Sequence, residues 1–331
     1  MARLAGVSRT TVSFVLNDRP DANIGDETRQ RVRAAAAELE YHVHGAARAL
    51  AGGGSQTIGL VLRQNPEQVA ADALLADTLW GIGAEAHKHG YRVLVEPLPP
   101  EGGHYSDLVR SQRVDGLIVS GPRSDDEELA LLVEESFPII LQGSLPGLAA
   151  PSIDVDNRAG ARTAVDHLIN LGHRRIACVT NAPRAYTAAQ ERLTGYRDAL
   201  LNAGLAYDEG LVVEGAFDAT SGWLAIRELF DRTADVTAVF VASDVVAFGA
   251  MRGLREAGRR VPRDISVVGF DDIALARHFD PPLTTVHLPA RALGEAAGRA
   301  LVDRLAGRPG AERLLLATEL VVRESTAPPA G

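Results

Sequence analysis

From residue 58 onward the chain alternates short apolar runs with stretches of helical periodicity, and that alternation leaves few folds open. The runs are IGLVL at 58–62, RVLVEPL at 92–98, DGLIVSG at 115–121, FPIILQG at 137–143, RIACVT at 175–180, TAVFVAS at 237–243 and ISVVGFDD at 265–272. Short runs rich in branched side chains, separated by amphipathic segments such as DTLWGIGAEAHKHGY, are the rhythm of βαβ units around parallel sheets. There are enough of them for two sheets rather than one. The intervening helices carry stop signals, as in HLINLGH, ALLNAGL and LREAGRRVP, where a glycine follows the last apolar position and is free to take the left-handed conformation. Residues 1–50 have no strand signal and read as short helices, and the glycines of AGGGSQ at 51–56 break that pattern before the first strand.

Composition narrows the function classes. The chain has 331 residues, about twice a usual domain, and 46% apolar residues to fill two or three cores. It carries 34 Lys and Arg against 43 Asp and Glu, a net charge of −9, so it is not basic overall. Residues 1–52 nevertheless hold seven arginines against six acids, and the rest of the chain carries the whole acidic excess. Cys178 is the only cysteine and stands in an apolar run, which excludes an intrachain disulfide or a multi-thiolate metal site and marks a buried small side chain. The nine histidines show no metal-binding spacing, so neither a metal nor another cofactor is expected. No apolar run is long enough to cross a membrane and no signal-peptide core opens the chain, so a cytoplasmic protein without a membrane partner is expected.

The head repays a closer look. In ARLAGVSRTTVSFVLN, Gly6 separates two helical patterns and Ser8 is a good N-cap for the second, the grammar of a helix-turn-helix. At 100° per residue, Val12, Val15 and Leu16 fall on one side, to pack, while Arg9, Thr10, Ser13 and Phe14 spread over the other, toward a DNA groove. Residues 26–41, DETRQRVRAAAAELEY, add a further helix with Val32, Ala36 and Leu39 at helical spacing.

With AGVSRTTVSFVLN, ETRQRVRAAAAELEY, RALAG and IGLVL in order, the chain resembles the LacI/GalR family of bacterial transcriptional regulators. The likeness continues through DVDN at 154–157, ERLTGYRDAL, ASDVVAFGAM, VPRDISVVGFDD and PPLTTV, and so covers essentially the whole chain. It implies an α/β protein with a helix-turn-helix head and a two-lobed core of parallel α/β sheets like that of periplasmic binding proteins. By resemblance the recognition helix is 8–16, with Arg9, Thr10 and Phe14 meeting bases. The candidate DNA-binding set is Ser8, Arg9, Thr10, Thr11, Ser13 and Phe14, joined by Leu50, which matches the leucine that the family's hinge helix inserts into the minor groove. Two departures stand out. Family members begin several residues earlier, so the first helix is expected to be truncated, with Leu4 and Val12 short of packing partners and the true start upstream of Met1. The linker reads His42-Val43-His44-Gly45 where the family has Pro-Asn, and Gly45 weakens the hinge helix at 46–51 by about 1 kcal/mol relative to alanine.

In parallel α/β sheets, ligands bind beyond the carboxyl ends of the strands. Ser120, Gln142, Ser243, Asp244, Asp271 and Asp272 all follow apolar runs there, although each is also a helix cap or turn former, the preferred reading for Asp244. The resemblance implies that Asp271 and Arg192, the latter in RLTGY, meet the effector, and that Phe217 stacks on it. A carboxylate facing a guanidinium suits a sugar or polyol. The expected divisions are 1–45 for the head, 46–55 for hinge helix and linker, 56–155 with 287–312 for the first lobe, and 156–284 with 313–327 for the second. The stretch 121–136 and the tail APPAG read as solvated surface and a loose end. The function expected is an effector-controlled, homodimeric, DNA-binding repressor, with a solute receptor of the same fold as the alternative. An enzyme is not expected, since there is no dinucleotide or Walker motif and no nucleophile elbow.

Overall fold

The structure, a computed structural model, describes residues 1–16, 22–39, 41, 54–233 and 235–330. It forms two compact units, residues 1–57 with 106–115, and residues 58–105 with 116–331. The hinge segment 46–51, with Leu50, and the linker residues 42–45 lie outside the described residues.

The smaller unit contains α1 (Arg9–Leu16) and α2 (Asp26–Glu38). The Ser8 hydroxyl accepts from the Thr11 amide at 3.0 Å, the N-cap that the sequence promised. Ala5, Val15, Val32 and Ala35 form the buried centre, with Val7, Val12, Leu16 and Ile24 packed around it. Residues 2–7 make only turns, and Leu4 is 49% exposed while Val12 finds partners in the cluster. Leu39, expected on the buried face of α2, is 51% exposed, because the helix ends before it and Ala35 and Ala36 take the inner positions. In the same unit the Asp115 carboxylate accepts from the Ser55 amide at 2.6 Å and the Gln56 amide at 2.8 Å.

The larger unit is built on two six-stranded sheets. The strands are β1 (Thr57–Leu62), β2 (Arg92–Pro97), β3 (Gly116–Ser120), β4 (Ile139–Gln142), β5 (Ser152–Val155), β6 (Ile176–Val179), β7 (Val212–Val213), β8 (Ala238–Val241), β9 (Ser266–Asp271), β10 (Thr284–His287), β11 (Arg313–Leu316) and β12 (Glu319–Val321). After α2 the helices are α3 (Pro66–Ala71), α4 (Leu75–Lys88), α5 (Tyr105–Arg110), α6 (Glu127–Glu134), α7 (Asn157–Asn170), α8 (Thr187–Asn202), α9 (Ala219–Arg232), α10 (Asp244–Glu256) and α11 (Ala290–Leu305), all in the larger unit except α5, whose residues 106–110 belong to the smaller. The first sheet runs β11-β5-β4-β3-β1-β2 and the second β12-β10-β9-β8-β6-β7. The second sheet is parallel throughout except β10 with β12, and in the first β11, β5, β4, β3 and β1 run parallel.

Burial on both faces explains why the central strands are apolar throughout. In β6, Ile176 and Cys178 point into one core and Ala177 and Val179 into another; β8 repeats this with Phe240 against Val239 and Val241. Each such fully buried branched side chain contributes about 1.5–3 kcal/mol. Helices α9 and α10 cross closely enough that glycine is required, since a Cβ on Gly249 would overlap the Ala219 carbonyl and one on Gly222 the Val246 carbonyl.

The chain passes between the sheets three times, after β5, after β10 and between β11 and β12. The last crossing corrects the expected division, which gave 313–327 to the second lobe: Arg313–Leu316 pairs with β5 in the first sheet, and only Ala317 and Thr318 separate it from β12 in the second. RLLLATELV therefore holds two strands, and nothing in its apolar pattern marks where the break falls. Two stretches read as featureless are organised. Residues 121–136 contain α6, capped by Asp126, whose carboxylate also accepts from the buried Tyr105 hydroxyl at 2.6 Å. In the tail, the Ala327 amide donates to Ser266 Oγ at 3.0 Å.

Candidate effector site and DNA-reading helix

At the carboxyl ends of both sheets lies a cavity of about 170 Å³. Ser120 and Gln142, from β3 and β4, line it on the first-sheet side. Arg192 of α8, Phe217 before α9, Ser243 before α10 and Asp271 ending β9 line it on the second. All six effector candidates named from the sequence thus border one space. A larger surface groove of about 680 Å³ beside residues 144–152 and 304–313 holds none of them.

Arg192 is the centre of the wall. Its Nε donates to Asn157 Oδ1 at 2.8 Å and its Nη1 to the Ala242 carbonyl at 2.6 Å; Nη1 also stands 3.4 Å from Asp271 Oδ1. The guanidinium lies over the Phe270 ring, 3.7 Å from its centroid, which fixes its plane. Burial pushes Asp271 up to about 6, against the pull of Arg192 and a hydrogen bond from Ser243. The site is also strained: Asp271, Asp272 and Phe217 have φ of 118°, 56° and 69°, a region that favours glycine. Phe217 meets Tyr186 edge to face with centroids 4.9 Å apart.

Asp244, read as a helix cap or turn former, instead braces the strands beneath the site. Its carboxylate accepts from the Thr285 hydroxyl at 2.6 Å and the Ile273 amide at 3.0 Å, and burial raises its pKa. Asp272 accepts from Arg323 at 2.6 Å and faces His287 at 3.1 Å, outside the cavity lining.

Six further polar residues line the cavity that sequence reasoning did not single out: Gln64, Asp72, Thr78, Asp154, Asn157 and Asn181. Asp154 is pushed up to about 7 by burial, opposed by hydrogen bonds from the Val155 amide at 2.8 Å and Asn157 Nδ2 at 3.1 Å. Burial raises Asp72 as well, against the Leu74 amide that its side chain accepts at 2.9 Å. Gln64 and Asn181 follow β1 and β6, so the rule about strand ends reaches them, while Asp154 and Asn157 stood inside the quoted DVDN motif without a role. Asp72 sits between two helices, where no sequence signal marks it.

In the head, Ser8, Arg9, Thr10, Ser13 and Phe14 are exposed along α1 and Thr11 is half-buried, while Val15 is buried on the opposite side. An exposed helix bearing arginine and hydroxyl groups, capped at its N-terminus, has the shape and chemistry to enter a major groove. No helix among the described residues is long and apolar enough to cross a membrane.

A DNA-reading helix pair joined to a two-sheet unit with a polar cavity at the strand ends defines a DNA-binding regulator of the sensor type. The chain belongs to the LacI family of bacterial regulatory proteins: that family's model matches residues 1–43, and a periplasmic binding protein-like domain matches 165–326. It is 40% identical to the HTH-type transcriptional regulator CelR of Thermobifida fusca, over 98% of this chain and 96% of that protein. Identity to the HTH-type transcriptional repressor PurR of Vibrio atlanticus is 33%, over 98% and 97%. Among solved structures, a CelR–cellobiose complex is 39% identical with a TM-score of 0.78, covering 98% of each chain. The lac repressor dimer bound to operator and the anti-inducer ONPF is 32% identical with a TM-score of 0.82, over 98% and 97%.

Proposed function

We propose that this chain is a cytoplasmic, homodimeric repressor that binds operator DNA through α1 and is released or retained by a sugar held in the cavity. The observation that carries the effector reading is the convergence of Asp271, Arg192, Ser243, Phe217, Gln142 and Ser120 from the sides of both sheets on one cavity. Asp271 accepts hydroxyl protons, Arg192 holds Asp271 in place and donates beside it, and Phe217 offers a face to a sugar ring. A ligand that touches both sheets biases their relative arrangement, and the three chain crossings pass that bias toward the head. Arg9, Thr10, Ser13 and Phe14 read base edges, Ser8 and Thr11 hold the helix start against the backbone, and Leu50 serves the minor groove. The two copies of a homodimer read two half-sites. The purified protein leaves its ligand unconsumed.

The test uses an operator selected by the intact protein from a random-sequence DNA pool. Fluorescence anisotropy then follows its release in the presence of cellobiose, maltose or glucose, with cellobiose the first choice given the CelR complex. One of these sugars changes operator affinity, and Asp271→Ala removes that response while leaving affinity for DNA in the absence of sugar near normal. A response in Asp271→Ala equal to that of the unaltered protein overturns the assignment of the cavity.

A further inference from the structure

The cavity wall is rich in acceptors that the protein itself does not satisfy. Gln64 Oε1, Gln142 Oε1 and Asn181 Oδ1 are buried without a hydrogen-bond partner, and their side chains belong to residues only 9%, 8% and 8% exposed. Buried acceptors of this kind are costly unless something binds them. Gln64 and Gln142 reach the cavity from the ends of β1 and β4, and Asn181 from the end of β6, so the three approach it from both sheets. The same wall holds the carboxyl groups of Asp72, Asp154 and Asp271, and among the described residues Arg192 is its only lysine, arginine or histidine. Arg192 already spends Nε and Nη1 on Asn157, the Ala242 carbonyl and Asp271.

We infer that the cavity selects an uncharged, hydroxyl-rich sugar and rejects its phosphorylated forms, with Gln64, Gln142 and Asn181 reading the hydroxyl hydrogens. The inference rests on the effector reading above and narrows it. Each sugar hydroxyl brings a donor, so one ring satisfies acceptors from both sheets at once. A phosphate ester dianion brings acceptors and no donor, and places its charge among three carboxyl groups with one engaged guanidinium to offset them. Those carboxyl groups are held up by burial, Asp271 at about 6 and Asp154 at about 7, so an anion beside them draws in protons before it is accommodated.

The experiment is calorimetry at pH 7.5 on the intact protein with cellobiose, maltose and glucose, each paired with its 6-phosphate. The sugar that binds does so about 100-fold more tightly than its phosphorylated partner, the scale on which like charges brought together discriminate. Gln142→Leu and Asn181→Leu weaken binding of the neutral sugar about tenfold or more. Their ligand-free melting temperature holds or rises, because each replaces an unsatisfied acceptor with an apolar group. A residue that merely supports the fold would lower it. A 6-phosphate that binds as tightly as its neutral sugar overturns the inference and leaves the effector reading standing. Failure of all six compounds to bind overturns both. Unchanged affinity in both leucine variants removes the acceptors from the assignment, and the paired comparison on the unaltered protein stands without any variant.

Discussion

Replacing Arg192 by methionine keeps much of the side-chain bulk and removes the charge and its donors, so it isolates the electrostatics of the cavity wall. Three acceptors lose a donor: Asn157 Oδ1 at 2.8 Å, the Ala242 carbonyl at 2.6 Å and Asp271 Oδ1 at 3.4 Å, the last keeping its hydrogen bond from Ser243. Both ionic partners are nearly inaccessible, with side chains 7% and 8% exposed. Removing one member of such a pair strands the other and costs about 3–5 kcal/mol. The cost has a definite pH dependence. Asp271 already lies raised at about 6 with Arg192 beside it, and without the guanidinium it rises further. A carboxyl raised above its unfolded value destabilises the native state progressively as pH climbs from the unfolded value through the folded one. The variant therefore loses more at pH 8, where Asp271 must be either charged or protonated at a cost, than at pH 5, where it is already protonated. Adding Asp271→Asn restores part of the loss at pH 8. Urea unfolding of the larger unit followed by circular dichroism, at both pH values and for all corners of the double-mutant cycle, measures these terms. A single-variant loss under about 1 kcal/mol, or a loss equal at pH 5 and pH 8 with no recovery in the double variant, refutes the reasoning.

Arg9→Ala costs about 1–3 kcal/mol on a selected operator and relaxes preference at one base pair per half-site; an equal loss on random DNA would make Arg9 a phosphate contact only. Operator affinity falls by about 10³–10⁵ between 50 and 200 mM salt if the dimer makes roughly six to ten phosphate contacts, and anisotropy titrations across that range check it. Gly249→Ala drives a methyl group into the Ala219 carbonyl and destabilises the larger unit by about 3 kcal/mol, read by calorimetric unfolding. Thermal stability declines between pH 6.5 and 8, since Asp154, raised to about 7, must shed its proton there, while His173, lowered by burial, costs stability only on the acid side of its ordinary value; a midpoint that rises over this range contradicts it.

The strands read most easily are those with two buried faces. β6 and β8, and β9 up to its terminal Asp271, announce themselves because every position is apolar or small, whichever sheet face it meets. β5 is harder, since its sequence Ser-Ile-Asp-Val alternates like a half-exposed strand, yet all four residues are buried. Its aspartate turns inward to the cavity rather than outward to water, and single-sequence periodicity cannot tell those apart. The same holds for the site. Residues that follow a clear apolar run, such as Gln142 and Ser243, are legible from position alone, and Asp271 and Arg192 from resemblance. Gln64 and Asn181 were within reach of the strand-end rule, but amides carry no charge pattern to draw attention. Asp72 enters from a helix–helix turn, brought to the cavity by tertiary packing alone.

Nine consecutive residues, 313–321, supply the outermost strand of both sheets. During synthesis α1 and α2 emerge long before either sheet can be completed, and the two sheets gain these outer strands almost together. A chain stopped at residue 312 would carry α1 together with two open sheet edges, at β5 and β10. Such edges invite aggregation and proteolysis, and the truncated product should be recovered insoluble on expression. The interleaving thereby ties both sheets to one short segment: a chain that lacks 313–321 completes neither of them.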